Sequence, residues 1–215
     1  MTYQLYGEDG SGSGIVELAL AQIGVPYELH NVALGAEQQR GSAYADVNPQ
    51  RKLPTLVTPA GEVLTESAAI VLVLDERYPE AALLPERGSS ERAKALRWLL
   101  FLAAELYPLI EIIDYPDRFA PEPTAAPALR GVARRLWRER FLLVEAAISG
   151  APWLLPSGRC WTDVYLATLG QWTQADAWRA ANLPKVDAIA RAIAQDERIG
   201  KVWRRHHVPK DGGTA

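Results

Sequence analysis

The stretch from Asn48 to Ile70, NPQRKLPTLVTPAGEVLTESAAI, joins a Leu-Pro bend entering a strand to a Glu-Ser pair opening a helix. Leu53 precedes Pro54 and is therefore biased toward extended geometry. If the Leu53–Pro54 bond is cis, the Leu53 N–H and C=O face outward, where a small peptide docks as an added strand. Thr55-Leu56-Val57 then runs into a sheet. Beyond the Pro59-Ala60-Gly61 turn, Glu66 and Ser67 precede an apolar run. Free helix N–H groups and the Ser67 hydroxyl suit a carboxylate there, and Glu66 suits an ammonium. A zwitterion carrying a peptide tail fits both ends of the segment.

Upstream, Tyr3 to Gly7 alternates as a strand does, the glycine-rich EDGSGSG follows, and Ile15 to Ile23 is apolar enough for a mostly buried helix closed by Gly24. Tyr27 to Leu34 reads as a second strand, and Gly35 to Ala45 as a short helix or loop ended by Asn48-Pro49. Strand-helix-strand requires a parallel pair through a right-handed crossover. Adding a Thr55–Val57 and Glu62–Leu64 hairpin and a Ser67–Glu76 helix gives a four-stranded mixed sheet in a thioredoxin-like layer. Downstream, Arg77 to Arg87 is a linker, and Ser89 or Ser90 caps a long helix toward Ile113. Further helices are expected over Leu129–Ile148, Thr162 to about Gln174, and from Leu183-Pro184 through Trp203. The fold class is thus α/β plus all-α: a thioredoxin-like domain over 1–80, a linker over 81–88 and a helical bundle over 89–215.

The 215 residues, 48% hydrophobic, suffice for a substantial core. A net charge of −3, from 26 acidic and 23 basic residues that are interspersed, points away from nucleic acid and from a basic membrane-binding face. The arginines of the second long helix, Arg134, Arg135, Arg138 and Arg140, read as a solvated face. No apolar run approaches the roughly 18 residues of a membrane span, and MTYQLYGEDG lacks a signal-peptide pattern, so a cytoplasmic protein is expected. The single cysteine, Cys160, excludes an internal disulfide and a Cys-x-x-Cys dithiol. Chemistry that needs a reactive thiol must borrow one.

The motifs N-P-Q-R-K-L-P-T-L and L-T-E-S-A-A-I resemble the glutathione-binding half of the glutathione S-transferase family, and a coarser likeness extends over nearly the whole chain. The resemblance implies that Leu53 contacts the cysteinyl backbone of glutathione through its main chain, that Pro54 shapes the turn, and that Glu66 and Ser67 hold the γ-glutamyl end. Lys52 stands where relatives place a polar ligand contact, and its ammonium suits the glycine carboxylate. The plain alternatives are a strand-entry proline, a helix cap and a solvated lysine.

The family keeps its catalytic Ser, Tyr or Cys after the first strand, where Gly10-Ser11-Gly12-Ser13-Gly14 stands. A hydroxyl donating to sulfur and helix N-terminal N–H groups aimed at it both lower a thiol pKa. In the register of the Ser and Cys types the sulfur-orienting position falls on Gly10, with Ser11 one residue later and Ser13 three later. Ser11 comes first as catalytic residue, Ser13 second, with backbone N–H groups sharing the work and Tyr6 third; a cap in a flexible turn is the alternative. Gly-x-Gly-x-Gly without a following Gly-Lys-Ser/Thr argues against dinucleotide or phosphate binding.

A second, hydrophobic and electrophilic substrate is expected between the domains, on Tyr107, Glu111 and Tyr115, spaced by four, with Trp98 and Trp161 as further candidates. Asp163 resembles a family aspartate in a capping box, with Cys160 where Ser or Thr is usual. His206 and His207 have no ligand pattern around them, so no metal is expected. The resemblance implies a homodimer using glutathione as co-substrate, in transferase chemistry or, alternatively, a noncatalytic glutathione-binding or protein-interaction module.

Overall fold

The computed structural model describes residues 2–172 and 177–207. The chain divides into two compact units, one running to Leu83 and resuming from Arg191, the other Leu84–Ala190. This differs from the expected boundaries, because the last helix does not stay with the helical bundle.

In the first unit, β1 (Tyr3–Gly7), β2 (Tyr27–Asn31), β3 (Thr55–Val57) and β4 (Val63–Leu64) form one sheet in the order β2-β1-β3-β4. β1 runs parallel to β2 and antiparallel to β3, and β3 antiparallel to β4. The helix α1 (Ser13–Ile23) makes the β1–β2 crossover and α3 (Ser67–Arg77) follows β4. Leu5, Leu56, Ile15, Leu18, Ile70 and Leu74 are fully buried, so the sheet and these two helices share one apolar layer. β2 stops at Asn31, short of the expected Leu34, because its partner β1 ends at Gly7. The chain then turns onto Glu8, whose carboxylate accepts the Leu34 N–H at 3.0 Å. Between β2 and β3 lie a 3-10 turn at Gln38–Arg40 and the short helix α2 (Ser42–Ala45).

In the second unit, the expected long helix is α4 (Ser90–Phe101), capped by Ser89, whose hydroxyl accepts the Arg92 N–H at 3.1 Å. It continues through a π-helical turn, Leu102–Leu106, into α5 (Tyr107–Asp114). Pro108 accounts for the widened turn, since it has no N–H to donate to the preceding turn. α6 (Ala126–Ala147), α7 (Trp161–Gln171), α8 (Ala177–Asn182) and α9 (Pro184–Ala194) as far as Ala190 complete it, around a core holding Trp137, Phe141, Trp161 and Tyr165. The expected end of α7 near Gln174 lies outside the described residues. α10 (Gly200–His207) is separate from α9, because the Asp196 carboxylate takes the Arg198 and Ile199 N–H groups and starts a new helix. Trp203 and His206 on α10 are buried in the first unit against α1. Among the described residues no helix is long and apolar enough to cross a membrane.

Candidate functional site

Strand directions gather the sequence motifs at one end of the sheet. Tyr6 pairs with Thr55, so the Leu53–Pro54 bend stands beside the end of β1 from which the glycine-rich turn departs. β4 runs antiparallel to β3 and delivers Glu66 and Ser67 to that same end. The N-termini of α1 and α3 both start there, which adds two sets of unshared helix N–H groups.

The Leu53–Pro54 peptide is cis. No hydrogen bond joins the Leu53 N–H or C=O to another described residue. The bend rests on a polar network that the sequence reading missed. Tyr44 Oη donates to the Lys52 carbonyl at 2.8 Å and lies 2.8 Å from Thr55 Oγ1. Asn48 Nδ2 donates to the same carbonyl at 2.9 Å and to Thr55 Oγ1 at 3.0 Å, while Asn48 Oδ1 accepts the Gln50 N–H. All three side chains are buried, and Asn48-Pro49, read only as the end of a helix, was the available signal. Lys52 itself is exposed.

Glu66 has φ 63° and ψ 105° at the N-cap of α3, with an exposed side chain that makes no capping bond. A helix-cap role for the Glu66 side chain is therefore excluded, and the residue holds a strained backbone at the helix start. Ser67, the first residue of α3, is buried.

In the glycine-rich turn both serine hydroxyls bend back to Glu8. Ser11 Oγ donates to the Glu8 carbonyl at 2.7 Å and lies 2.8 Å from Ser13 Oγ, which is 3.1 Å from that carbonyl. Ser13 is 2% exposed, whereas Ser11 is half-buried. Gly14 N–H and Ile15 N–H are bonded to Ser11 and Gly12 carbonyls, but the Gly12 N–H has no partner among the described residues. It is the bare donor at the start of α1. Tyr6 stacks on His30 with ring centroids 4.6 Å apart.

Behind this turn lies a buried cluster that sequence reading did not assemble. Glu17, 2% exposed on α1, accepts Tyr27 Oη at 3.0 Å, Arg205 Nη2, and His206 Nε2 at 2.8 Å. Burial by itself raises the Glu17 pKa, but the hydrogen bonds from His206 and Arg205, with the Arg205 charge, outweigh it and hold the carboxyl below its usual range. Burial, then the Glu17 charge, push the Tyr27 phenol up to about 12. His206 Nδ1 accepts the Gly10 N–H at 3.1 Å, and Arg205 Nε reaches Asp9 at 3.3 Å. Donor atoms of Asp9, Glu17 and His206 lie within 4.8 Å of one another, yet the Arg205 cation already occupies Glu17 and opposes a metal ion there. The available signal was a charged Glu17 inside an apolar helix, which demands a partner.

In the second unit, Tyr107 packs edge-on to Tyr165 at 6.3 Å and tilted on Trp172 at 5.0 Å. α5 ends at Asp114, so Tyr115, with φ −128°, leaves the helical face that spacing by four assigned to it. Arg118 ties it back: its guanidinium lies 3.7 Å from the Tyr115 ring centroid and 3.9 Å from the Glu111 carboxylate. Trp161, 1% exposed, is core, and Trp98 packs against Phe101.

Residues 13–77 match the family model described as glutathione S-transferase, N-terminal domain. An uncharacterized GST-like protein, YncG of Escherichia coli K12, is 30% identical over 207 residues, spanning 95% of this chain and 98% of that protein. A glutathione transferase from Methylococcus capsulatus superposes with a TM-score of 0.79 at 28% identity, covering 94% of this chain and 98% of its own. A transferase homolog from Sulfitobacter, solved with bound glutathione, shares the fold at a TM-score of 0.88 and 20% identity over 96% of this chain and 99% of its own. With sequence likeness running end to end and the cis-proline bend, the Glu66 turn and the bare α1 N-terminus collected at one end of the sheet, this chain belongs to the glutathione S-transferase family.

Proposed function

We propose that this family member is a glutathione transferase that binds the tripeptide at the Leu53–Pro54 and Glu66–Ser67 end of the sheet, ionises its thiol at the α1 N-terminus and delivers the thiolate to a hydrophobic electrophile. The observation that carries the reading is the convergence of the ends of β1 and β4, the start of β3 and the N-termini of α1 and α3 at one end of the sheet. Leu53 offers a main-chain donor and acceptor to the cysteinyl backbone. Glu66 meets the γ-glutamyl ammonium, Ser67 and the α3 N–H groups meet its carboxylate, and Lys52 meets the glycine carboxylate. Names of the relatives add glutathione as co-substrate, since the Sulfitobacter structure carries it.

The thiol then lies over the first turn of α1. The Gly12 N–H and the half-buried Ser11 hydroxyl meet the sulfur, and Ser13 supports Ser11 from behind. Developing negative charge on sulfur is favoured by such prearranged donors at a helix N-terminus. The thiolate attacks an electrophilic carbon, forming a C–S bond while the electron pair of the broken bond leaves with the displaced group. On the second unit, Tyr107, Glu111 and Tyr115 are the electrophile contacts, with Arg118 fixing the last two. The working form is a homodimer in the cytoplasm.

The test is thiolate absorbance of bound glutathione titrated over pH, in the native protein and in a Ser11→Ala variant. A bound-thiol pKa well below the free value, partly raised in Ser11→Ala, is expected. Because both serines donate to Glu8, a noncatalytic glutathione-binding module is the second reading, and saturable binding without ionisation would establish it instead.

A further inference from the structure

We propose that His206, at the far end of the chain, is a positioning residue for thiol activation, holding the glycine-rich turn in its donor-presenting form through the Gly10 N–H. This rests on the thiol-activating role proposed above for that turn.

Gly10 has φ 84°, a left-handed conformation, at the point where the chain leaves β1 and reverses into α1. Two residues on, the Gly12 N–H is left bare. Of the turn's amides, Ser11 is tied to the Glu8 carbonyl and Ser13 to the Ser11 hydroxyl, both within the turn itself. Gly10 alone is tied to something outside it, the His206 imidazole at 3.1 Å. The ring also fills the space over Gly14, where an added Cβ would stand 3.0 Å from the ring atoms Cγ and Nδ1. His206 thus fixes the turn on both sides of Gly12, by a bond before it and by contact after it.

The donor pattern fixes the tautomer. A backbone N–H only donates, so Nδ1 must carry the lone pair, and Nε2 carries the proton toward Glu17 Oε2 at 2.8 Å. Glu17 is in turn held by Arg205 and Tyr27, and Arg205 also grips Asp9, next to Gly10. A chain of polar contacts therefore runs from β2 through α1 and α10 into the turn, every member of it within one compact unit. The Glu17–His206 pair at the centre of this chain is buried, and a buried hydrogen-bonded pair specifies one arrangement of the groups it joins.

Two substitutions separate positioning from mere packing, because asparagine places its carbonyl near Nδ1 whereas glutamine places its amide near Nε2. His206→Asn keeps an acceptor for Gly10 and gives up Glu17; His206→Gln does the reverse. Bound-thiol pKa, glutathione affinity and kcat are measured in each full-length protein. Positioning through Gly10 predicts that His206→Gln raises the bound-thiol pKa by about one unit and lowers kcat about tenfold at little-changed affinity. His206→Asn is expected to stay within about twofold of the native kcat, a difference of under half a kilocalorie per mole in barrier. The inference is overturned by a His206→Gln thiol pKa equal to the native one, by equal losses in both variants, or by the reverse order. Should either variant fail to fold, long-range proton–nitrogen spectra of the native protein decide: a bare Nδ1 on His206 supports the inference and a protonated Nδ1 ends it. A native protein that binds glutathione without ionising it would instead remove the functional reading on which this rests.

Discussion

The Cys160 N–H donates to Asp163 Oδ2 at 2.8 Å, across the first turn of α7, while the Leu154 N–H donates to Oδ1 at 2.6 Å. One fully buried carboxylate thus joins the helix start to the irregular segment before it. Cysteine in place of the usual serine or threonine leaves this half of the capping box intact, because the bond uses the Cys160 backbone. Burial is the dominant influence on Asp163 and, against the two N–H donors, pushes its pKa up to about 6 from an ordinary 3.8.

A folded-state pKa above the unfolded one means that the native protein binds this proton more tightly. The resulting stabilisation is complete below pH 3.8 and is lost as pH rises through about 6. The shift corresponds to roughly 3 kcal/mol. Urea unfolding of the native protein and of Asp163→Asn at intervals from pH 4 to pH 7 is expected to show the native protein losing stability relative to the variant across that window. Parallel pH profiles would refute the assignment. Asp163→Ala, which strips both N–H groups of their acceptor, is expected to cost about 2–4 kcal/mol at pH 4 and less as pH rises through the same window.

The Cys160 thiol is buried, and burial together with the neighbouring Asp163 pushes its pKa up to about 12. A thiol held protonated is a poor nucleophile. A disulfide reagent at pH 8 is expected to titrate no thiol in the native protein and one per chain in denaturant. Rapid native labelling would show that the α7 start opens readily.

Asn48 and Tyr44 support the Lys52 carbonyl from beneath the bend that is proposed to bind the tripeptide. Asn48→Ala removes two donors and one acceptor from a buried site, leaving Thr55 and Lys52 under-bonded. A loss of about 2–3 kcal/mol in stability is expected. Glutathione KM should rise more than kcat falls, since the network lies under the binding bend rather than at the sulfur. Tyr44→Phe should do the same more mildly. A changed kcat at constant KM would contradict this division.

Local chemistry made half of the site readable. The Leu-Pro bend and the Glu-Ser pair are each set by neighbouring residues, whereas the sheet end that they share came from the strand pairing. What stayed hidden is long in sequence separation. Glu17 and His206 stand 189 residues apart, and nothing in KVWRRHH says that α10 returns to the first unit, although the lone carboxylate inside IVELALAQI advertised a missing partner. Spacing by four likewise misplaced Tyr115, because the helix ended one residue before it. Asn48 was visible as a turn former and silent about the buried hydroxyls that it serves.

Glu66 carries opposed demands on stability and binding. Its φ of 63° lies in the left-handed region that a residue with a Cβ enters at a cost of about 1–2 kcal/mol, and the side chain makes no capping bond in return. Glu66→Gly relieves the backbone and discards the carboxylate, so the variant is expected to unfold at higher urea by roughly 1 kcal/mol while binding glutathione at least about tenfold more weakly. Glu66→Ala keeps the strain and loses the same ligand contact, so it should match the glycine variant in affinity without its gain in stability. Calorimetry with glutathione beside urea unfolding reads both quantities on the same samples. A Glu66→Gly protein that is more stable and binds as the native one does would assign the strained backbone to the fold alone and take Glu66 out of the ligand site.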